Sequence, residues 1–172
     1  MNNKDHSKLR LLTLSGLLIS LTTIFTAYIF HFPVGTNGGY IHFGDAVIYL
    51  AAALLPAPYA MAVGAIGGGL ADLLTAPMWT GATVIIKMLI TIPFTCKSDT
   101  LICKRNIIAP IISLFISSIG YYYAEAILFG TKAAFINAIF GSHIQSIGSA
   151  IFFYMGAIAL DRIRIKRTMF QD

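Results

Sequence analysis

Charge is what this chain has least of. Only 11% of its 172 residues are Asp, Glu, Lys or Arg, and seven of those are acidic. Soluble domains carry about 25%. A soluble fold of this length could not hide a chain that is 57% hydrophobic with a mean hydropathy of +0.78, whereas a bundle of membrane spans has no need to. Cysteine is nearly absent too. Cys96 and Cys103 match no zinc spacing and have no second pair to complete one, so they read as two ordinary thiols. The sequence has no H-E-x-x-H, no G-x-S-x-G, no P-loop and no dinucleotide fingerprint. Without a P-loop, any ATP spent on active transport is spent by another protein. No internal repeat is visible, which argues against a self-sufficient carrier built from two related halves.

What positive charge there is sits in three places. Ten of the twelve Lys and Arg residues lie in an N-terminal tail (Lys4, Lys8, Arg10), a mid-chain stretch (Lys97, Lys104, Arg105) and a C-terminal tail (Arg162, Arg164, Lys166, Arg167). Basic flanks stay on the cytoplasmic side of a membrane, so both termini and the mid-chain loop are expected there. A disulfide between the loop cysteines is not expected in that reducing compartment. The net charge of +5 is therefore a topology signal. It is not a nucleic-acid footprint, because it is divided among separate stretches.

The apolar runs between these stretches predict an all-α integral membrane protein, a single transmembrane domain over 1–172 with basic tails at 1–10 and 161–172. Six helical spans fit, at about 11–30, 45–55, 59–75, 80–94, 106–129 and 133–160. The first follows a basic tail but is too long, and lacks the cleavage site, for a signal peptide. The second to fourth are short for a hydrocarbon core of about 30 Å and must tilt, lie inside the bundle or end in partly polar loops. Residues 31–44, 76–79 and 130–132 fall outside. The first of these carries Gly35, Gly38 and Gly39 and reads as a lid or a passive connector. Gly64, Gly67, Gly68 and Gly69 in the third span point to close helix packing. Gly16 and Ser20, continued by Thr23 and Ala27 in the first, point to a helix–helix contact, internal or with another membrane protein.

Ionisable groups at membrane depth are expensive and mark function or pairing. Asp45 opens the second span and reads as an N-cap. Asp72 lies near the outer end of the third. Thr80, Thr83, Lys87 and Thr91 share one face of the fourth. Lys87 needs a carboxylate or a route to water, and Asp72, one tight turn away, is the expected structural partner; the alternative is that Lys87 meets an anionic or carbonyl group of a ligand. Ser118, Tyr121, Tyr122 and Glu125 form a stripe on the fifth span, and Asn137, Gly141, Gln145 and Gly148 another on the sixth. Such groups face protein or a water-filled cavity. Together they predict a small-molecule site opening outward, with aromatics for stacking and a few polar groups for orientation.

Three motifs occur in order between Gly39 and Lys87. The first is the run 39–50, with Gly39, Tyr40, His42, Gly44 and Asp45. The second is the glycine-rich run 64–74, ending on Asp72, Leu73 and Leu74. The third is Trp79 followed by Thr83, Val84, Ile85, Ile86 and Lys87. With the length and the six spans, they resemble the substrate-binding membrane subunits, or S components, of energy-coupling factor (ECF) transporters. The resemblance implies a high-affinity capture subunit for a vitamin or vitamin precursor in the plasma membrane of a prokaryote. It implies a membrane coupling subunit and two cytoplasmic ATPases as partners, no cofactor of its own and no enzymatic activity. It implies that the first outer loop is a lid, and that Gly16 and Ser20 stand where the family docks on its coupling subunit. Asp45, Asp72 and Lys87 then read as scaffold or gating elements. Cargo contacts fall to His42, Trp79, Thr83, Tyr121, Tyr122, Glu125, Asn137 and Gln145. The mixture of aromatic, acid and amide groups, with no Arg in the outer half, suits a compact heteroaromatic ring bearing hydroxyls or amines: a pyridoxine, a hydroxymethylpyrimidine or riboflavin. A polyanion such as folate fits poorly, since only Lys87 and Lys132 could meet it. The competing readings are a stand-alone homo-oligomeric channel or carrier, and an intramembrane enzyme using Glu125, His143 or Asp72.

Overall fold

The computed structural model describes residues 3–29, 31–34 and 39–170, with side chains described for these except 3–6, 34, 39, 131–140 and 170. Helix α1 (Asn3–Ala27) leads to a hairpin of β1 (Phe32–Val34) and β2 (Gly39–Ile41). The helices α2 (Asp45–Leu54), α3 (Ala57–Thr75), α4 (Thr80–Leu89), α5 (Lys104–Phe129), α6 (Thr131–Arg162) and α7 (Ile165–Phe170) follow. The hairpin is antiparallel, pairing Phe32 with Ile41 and Pro33 with Tyr40, and it modifies the all-α expectation within the outer loop.

Proline sets the breaks. Pro56 holds an extended ψ of 146° between α2 and α3. Pro77 opens a 3-10 turn through Trp79 that reverses the chain into α4. The expected fourth helix to residue 94 ends instead at Leu89. Pro93 has no N–H to donate and restricts Ile92, and the chain passes into tight turns, with Thr91 N–H donating to Met88 O and Ile92 N–H to Leu89 O. α4 is thereby too short to cross a bilayer unaided, as is α2.

α2 is the axis of the bundle. All its residues but Leu50 are buried, and it packs against α1, α3 and α6. Its ring of Tyr49 stacks on Phe94 at 5.0 Å and meets Phe153 edge-on at 6.0 Å. On α3, glycines replace side chains where neighbours press on the backbone. A Cβ on Gly67 would stand 2.8 Å from Thr22 of α1, and one on Gly64 would stand 2.3 Å from the Lys87 carbonyl oxygen of α4. The packing reading of these glycines holds: two helices approach α3 more closely than any side chain would permit.

The outward surface is apolar. Ile107, Ile111, Phe115 and Ile119 on α5, and Ile144, Ile147, Ile151 and Met155 on α6, are all exposed. Asp45, Asp72, Lys87, Ser113, Ser117, Glu125, Gln145 and Ser149 are turned inward. Segments Ser7–Ala27, Ala57–Thr75, Lys104–Phe129 and Gly141–Arg162 are each long and apolar enough to cross a membrane. The protein is a multi-pass membrane protein.

One end gathers the basic stretches. Arg10 donates to the carbonyl of Met169 in α7, joining the two terminal helices. Lys166 donates to the carbonyls of Cys96 at 3.1 Å and Ser98 at 2.7 Å, and burial pulls its ammonium pKa down. Asp161 accepts from the N–H groups of Leu101 and Ile102 at 2.7 and 2.9 Å. The Asn106 amide closes the same loop on Thr95 and Leu101. The hairpin lies at the other end.

Candidate functional site

Two buried carboxylates organise the hairpin end. Asp45 is the first residue of α2, not its cap. Gly44 occupies the N-cap with no side-chain bond, which corrects the capping expectation. The carboxylate instead turns into the bundle, where Lys87 Nζ lies 2.7 Å from Oδ1 and 2.8 Å from Oδ2. Gln145 Nε2 of α6 donates to Oδ2 at 2.9 Å. Asp45 and Lys87 are both fully buried. A buried pair repays its desolvation only with good geometry and further hydrogen bonds, and Gln145 supplies one.

The expected Asp72–Lys87 pair is thus replaced by Asp45–Lys87. The physical reason is the glycine stripe of α3. A Cβ on Gly68 would stand 2.8 Å from Lys87 Cγ, so the bare backbone leaves a groove through which the lysine stem crosses α3 to reach α2. Sequence proximity favoured Asp72, and the groove overrides it.

Asp72 serves another set of groups. It accepts hydrogen bonds from the Tyr40 hydroxyl of β2 and from Thr83 Oγ1 of α4. Since Thr83 gives its proton to Asp72, its oxygen receives the Tyr121 hydroxyl of α5, at 3.0 Å. The chain Tyr121–Thr83–Asp72–Tyr40 therefore joins α5, α4, α3 and the hairpin. Trp79 faces the Tyr121 ring edge-on at 6.2 Å and lies 5.8 Å from Phe129. Lys87 Nζ stands 5.4 Å over the Tyr121 ring, which brings the two carboxylate clusters together.

His42, in the loop ahead of α2, is 4% exposed. Its Nδ1 accepts the Gly44 N–H at 3.1 Å, so the proton of the neutral ring is on Nε2. Burial first, and then the Lys87 charge, lower its pKa to about 3. Tyr40 connects this residue to His31, with rings 5.5 Å from His42 and stacked at 4.0 Å on His31.

The remaining expected site residues are placed less uniformly. Gln145 joins the Asp45 cluster. Glu125 is buried on α5. Tyr122 is half-buried, its ring against the exposed Tyr123. The Asn137 side chain lies outside the described residues. On α1, Gly16 and Ser20 are exposed and a Cβ on Gly16 would touch nothing. Thr23 and Ala27, expected on the same face, are covered: Thr23 Oγ1 donates to Gly67 O at 3.1 Å, and Ala27 is buried. Tyr40 and Phe43 lie within the first motif, but the sequence assigned neither a role in the site. Phe43 lodges against α6, where a Cβ on Gly148 would strike its ring.

The arrangement is a hydrogen-bonding wall with aromatic flanks, in which the described cation at depth is already neutralised. Comparison with known proteins fits this picture. The sequence model of the family described as ECF-type riboflavin transporter, S component, matches residues 6–161. A protein of Pyrococcus woesei described as an uncharacterized protein in the gap 3′ region is 24% identical over 128 residues, covering 73% of this chain and 85% of that protein.

Proposed function

We propose a function from one premise: the chain belongs to the ECF-type riboflavin transporter S component family. It acts as the capture subunit of an ATP-driven vitamin importer. The hairpin end faces outward and the basic end faces the cytoplasm, as the distribution of Lys and Arg favours. All six longer helices contribute to crossing the membrane, with α2 and α4 sheltered by the others. A coupling subunit and two ATPases supply the energy, and the chain itself uses no cofactor. The bare strip at Gly16 and Ser20, where small residues leave the α1 backbone open to close approach, is the docking face for the coupling subunit.

The observation that carries the cargo reading is the internal cancellation of charge. Lys87 is committed to Asp45, and Asp72 is occupied by two hydroxyls. Such a wall offers hydrogen bonds and ring faces without a free cation among the described residues. It suits an uncharged heteroaromatic molecule bearing hydroxyls, with riboflavin first and pyridoxine or a hydroxymethylpyrimidine after it. His42, Trp79, Thr83, Tyr121, Tyr122, Glu125, Asn137 and Gln145 are the residues assigned to it.

The test is thermal unfolding of the purified protein in detergent against riboflavin, its 5′-phosphate, pyridoxine, a hydroxymethylpyrimidine and folate. A ligand bound only by the folded state stabilises it by about 2.7 kcal/mol at a hundredfold excess over Kd. Riboflavin is expected to raise the midpoint and its phosphate ester to raise it far less. Equal stabilisation by the ester, or none by any neutral vitamin, counts against this assignment.

A further inference from the structure

We infer that Tyr40 is a positioning residue: its hydrogen bond to Asp72 latches the β-hairpin to the helix bundle and sets how fast cargo enters and leaves. The inference rests on the capture function proposed above, but its structural half stands without it.

The hairpin cannot hold itself. Its strands have three residues each, and an isolated two-stranded hairpin is marginal in water. Its position must come from anchors to the bundle: His31 Nδ1 lies 3.0 Å from the Thr26 carbonyl of α1 at the entrance to β1, and two further anchors hold the β2 side. Just beyond β2, Phe43 is wedged against Gly148 and lies 5.4 Å from the Phe152 ring, both on α6. At the α3 side the hydroxyl of Tyr40 reaches Asp72. The Phe43 anchor is a knob in a glycine notch, tight and apolar. The Tyr40 anchor is polar: its hydroxyl bonds a carboxylate that keeps a second partner, Thr83, when Tyr40 leaves. Asp72 is thus left partly satisfied in the open state, which lowers the penalty for opening on this side. Opening therefore pivots on Phe43 and releases at Tyr40. Because Thr83 also receives Tyr121, the latch ends on the wall assigned to the cargo.

The experiment compares wild type with Tyr40→Phe, which keeps the ring that stacks on His31 and removes only the hydroxyl. Hydrogen–deuterium exchange is read at the amides of 40–44 and, as an internal reference, at those of 95–103. The expected result is exchange at least roughly tenfold faster at 40–44, the scale of a lost charge-assisted bond, with the reference loop unchanged. Unchanged exchange at 40–44 overturns the latch. So does an equal rise in both regions, which would make the bond a general stability contribution. The second readout is riboflavin binding by stopped flow. A latch raises the association and dissociation rates together and leaves Kd within about threefold, since the closed and open paths share end states. Faster dissociation with unchanged association makes Tyr40 a cargo contact and overturns the inference. If wild type binds no vitamin, the capture function fails, and the exchange readout still decides the latch.

Discussion

The two ends of this bundle are held by different kinds of hydrogen bond. At the hairpin end, the two carboxylates are held by side chains: Lys87 and Gln145 bond to Asp45, Thr83 and Tyr40 to Asp72, with Tyr121 on Thr83. At the basic end, side chains bond to backbone: Asp161 to two amides, Lys166 to carbonyls of the α4–α5 loop, Arg105 to the carbonyls of Ile92 and Pro93. Bonds of the second kind fix the path of the chain, because each closes a loop that would otherwise leave its polar groups unpaired. Those of the first kind can be exchanged for bonds to a ligand without unwinding a helix. The difference suits one end to exchange and the other to rigidity.

Four changes sharpen or break that contrast, taken from the largest expected effect downward. Lys87→Ala strands a fully buried carboxylate, and the expected loss is about 3–5 kcal/mol, seen as a collapse in folded yield and thermal midpoint. Pairing Lys87→Met with Asp45→Asn should recover much of it. A single variant of normal yield and altered cargo preference would instead make Lys87 a reader of cargo. Asp161→Ala leaves the Leu101 and Ile102 amides without their acceptor and should cost about 1–3 kcal/mol, with faster hydrogen exchange confined to 99–103 and no change in vitamin affinity. Weakened affinity there would mean that the two ends are not separable. Glu125→Gln should weaken cargo binding by roughly tenfold, the scale of one charge-assisted hydrogen bond, with the ligand-free midpoint little moved; titration calorimetry decides, and unchanged affinity removes Glu125 from the site.

At neutral pH the smallest effect is that of His42, which shows itself only in acid. His42 is held neutral, with a pKa lowered to about 3 from an unfolded value of about 6.5. Below about 6.5 the unfolded chain takes up a proton that the folded chain refuses. Stability is therefore full above that pH and falls as pH drops toward 3. His42→Asn, which can still accept the Gly44 N–H, should flatten this slope between about pH 7 and 5. An unchanged slope would assign the acid sensitivity to other groups.

Much of the fold was legible because its signals are local. Apolar runs, proline punctuation and basic flanks located α2, α3, α5 and α6 to within a few residues, but α1 begins at Asn3, well ahead of the expected span, α4 stops short ahead of Pro93, and α7 falls in the expected C-terminal tail. The hairpin was not legible, since three-residue strands around glycine give no periodicity to read. The polar stripes of α5 and α6 placed Tyr121 and Gln145 on inward faces, yet their partners, Thr83 and Asp45, lie 38 and 100 residues away. The pairing of Lys87 was misread for the same reason. Local spacing identified the need for a carboxylate, and only the packing of α4 across bare α3 backbone decides which carboxylate answers it.

That bare backbone has a genetic consequence. In a library carrying every substitution along α3, position 64 should tolerate nothing, because even alanine there collides with the main chain of α4, and position 68 should tolerate little, because a Cβ there presses on the Lys87 stem. Ile66 and Leu70, which face outward, should accept most apolar residues. Drift in this gene would then be channelled into the outward columns, while two glycine codons stay fixed for the sake of a lysine on another helix.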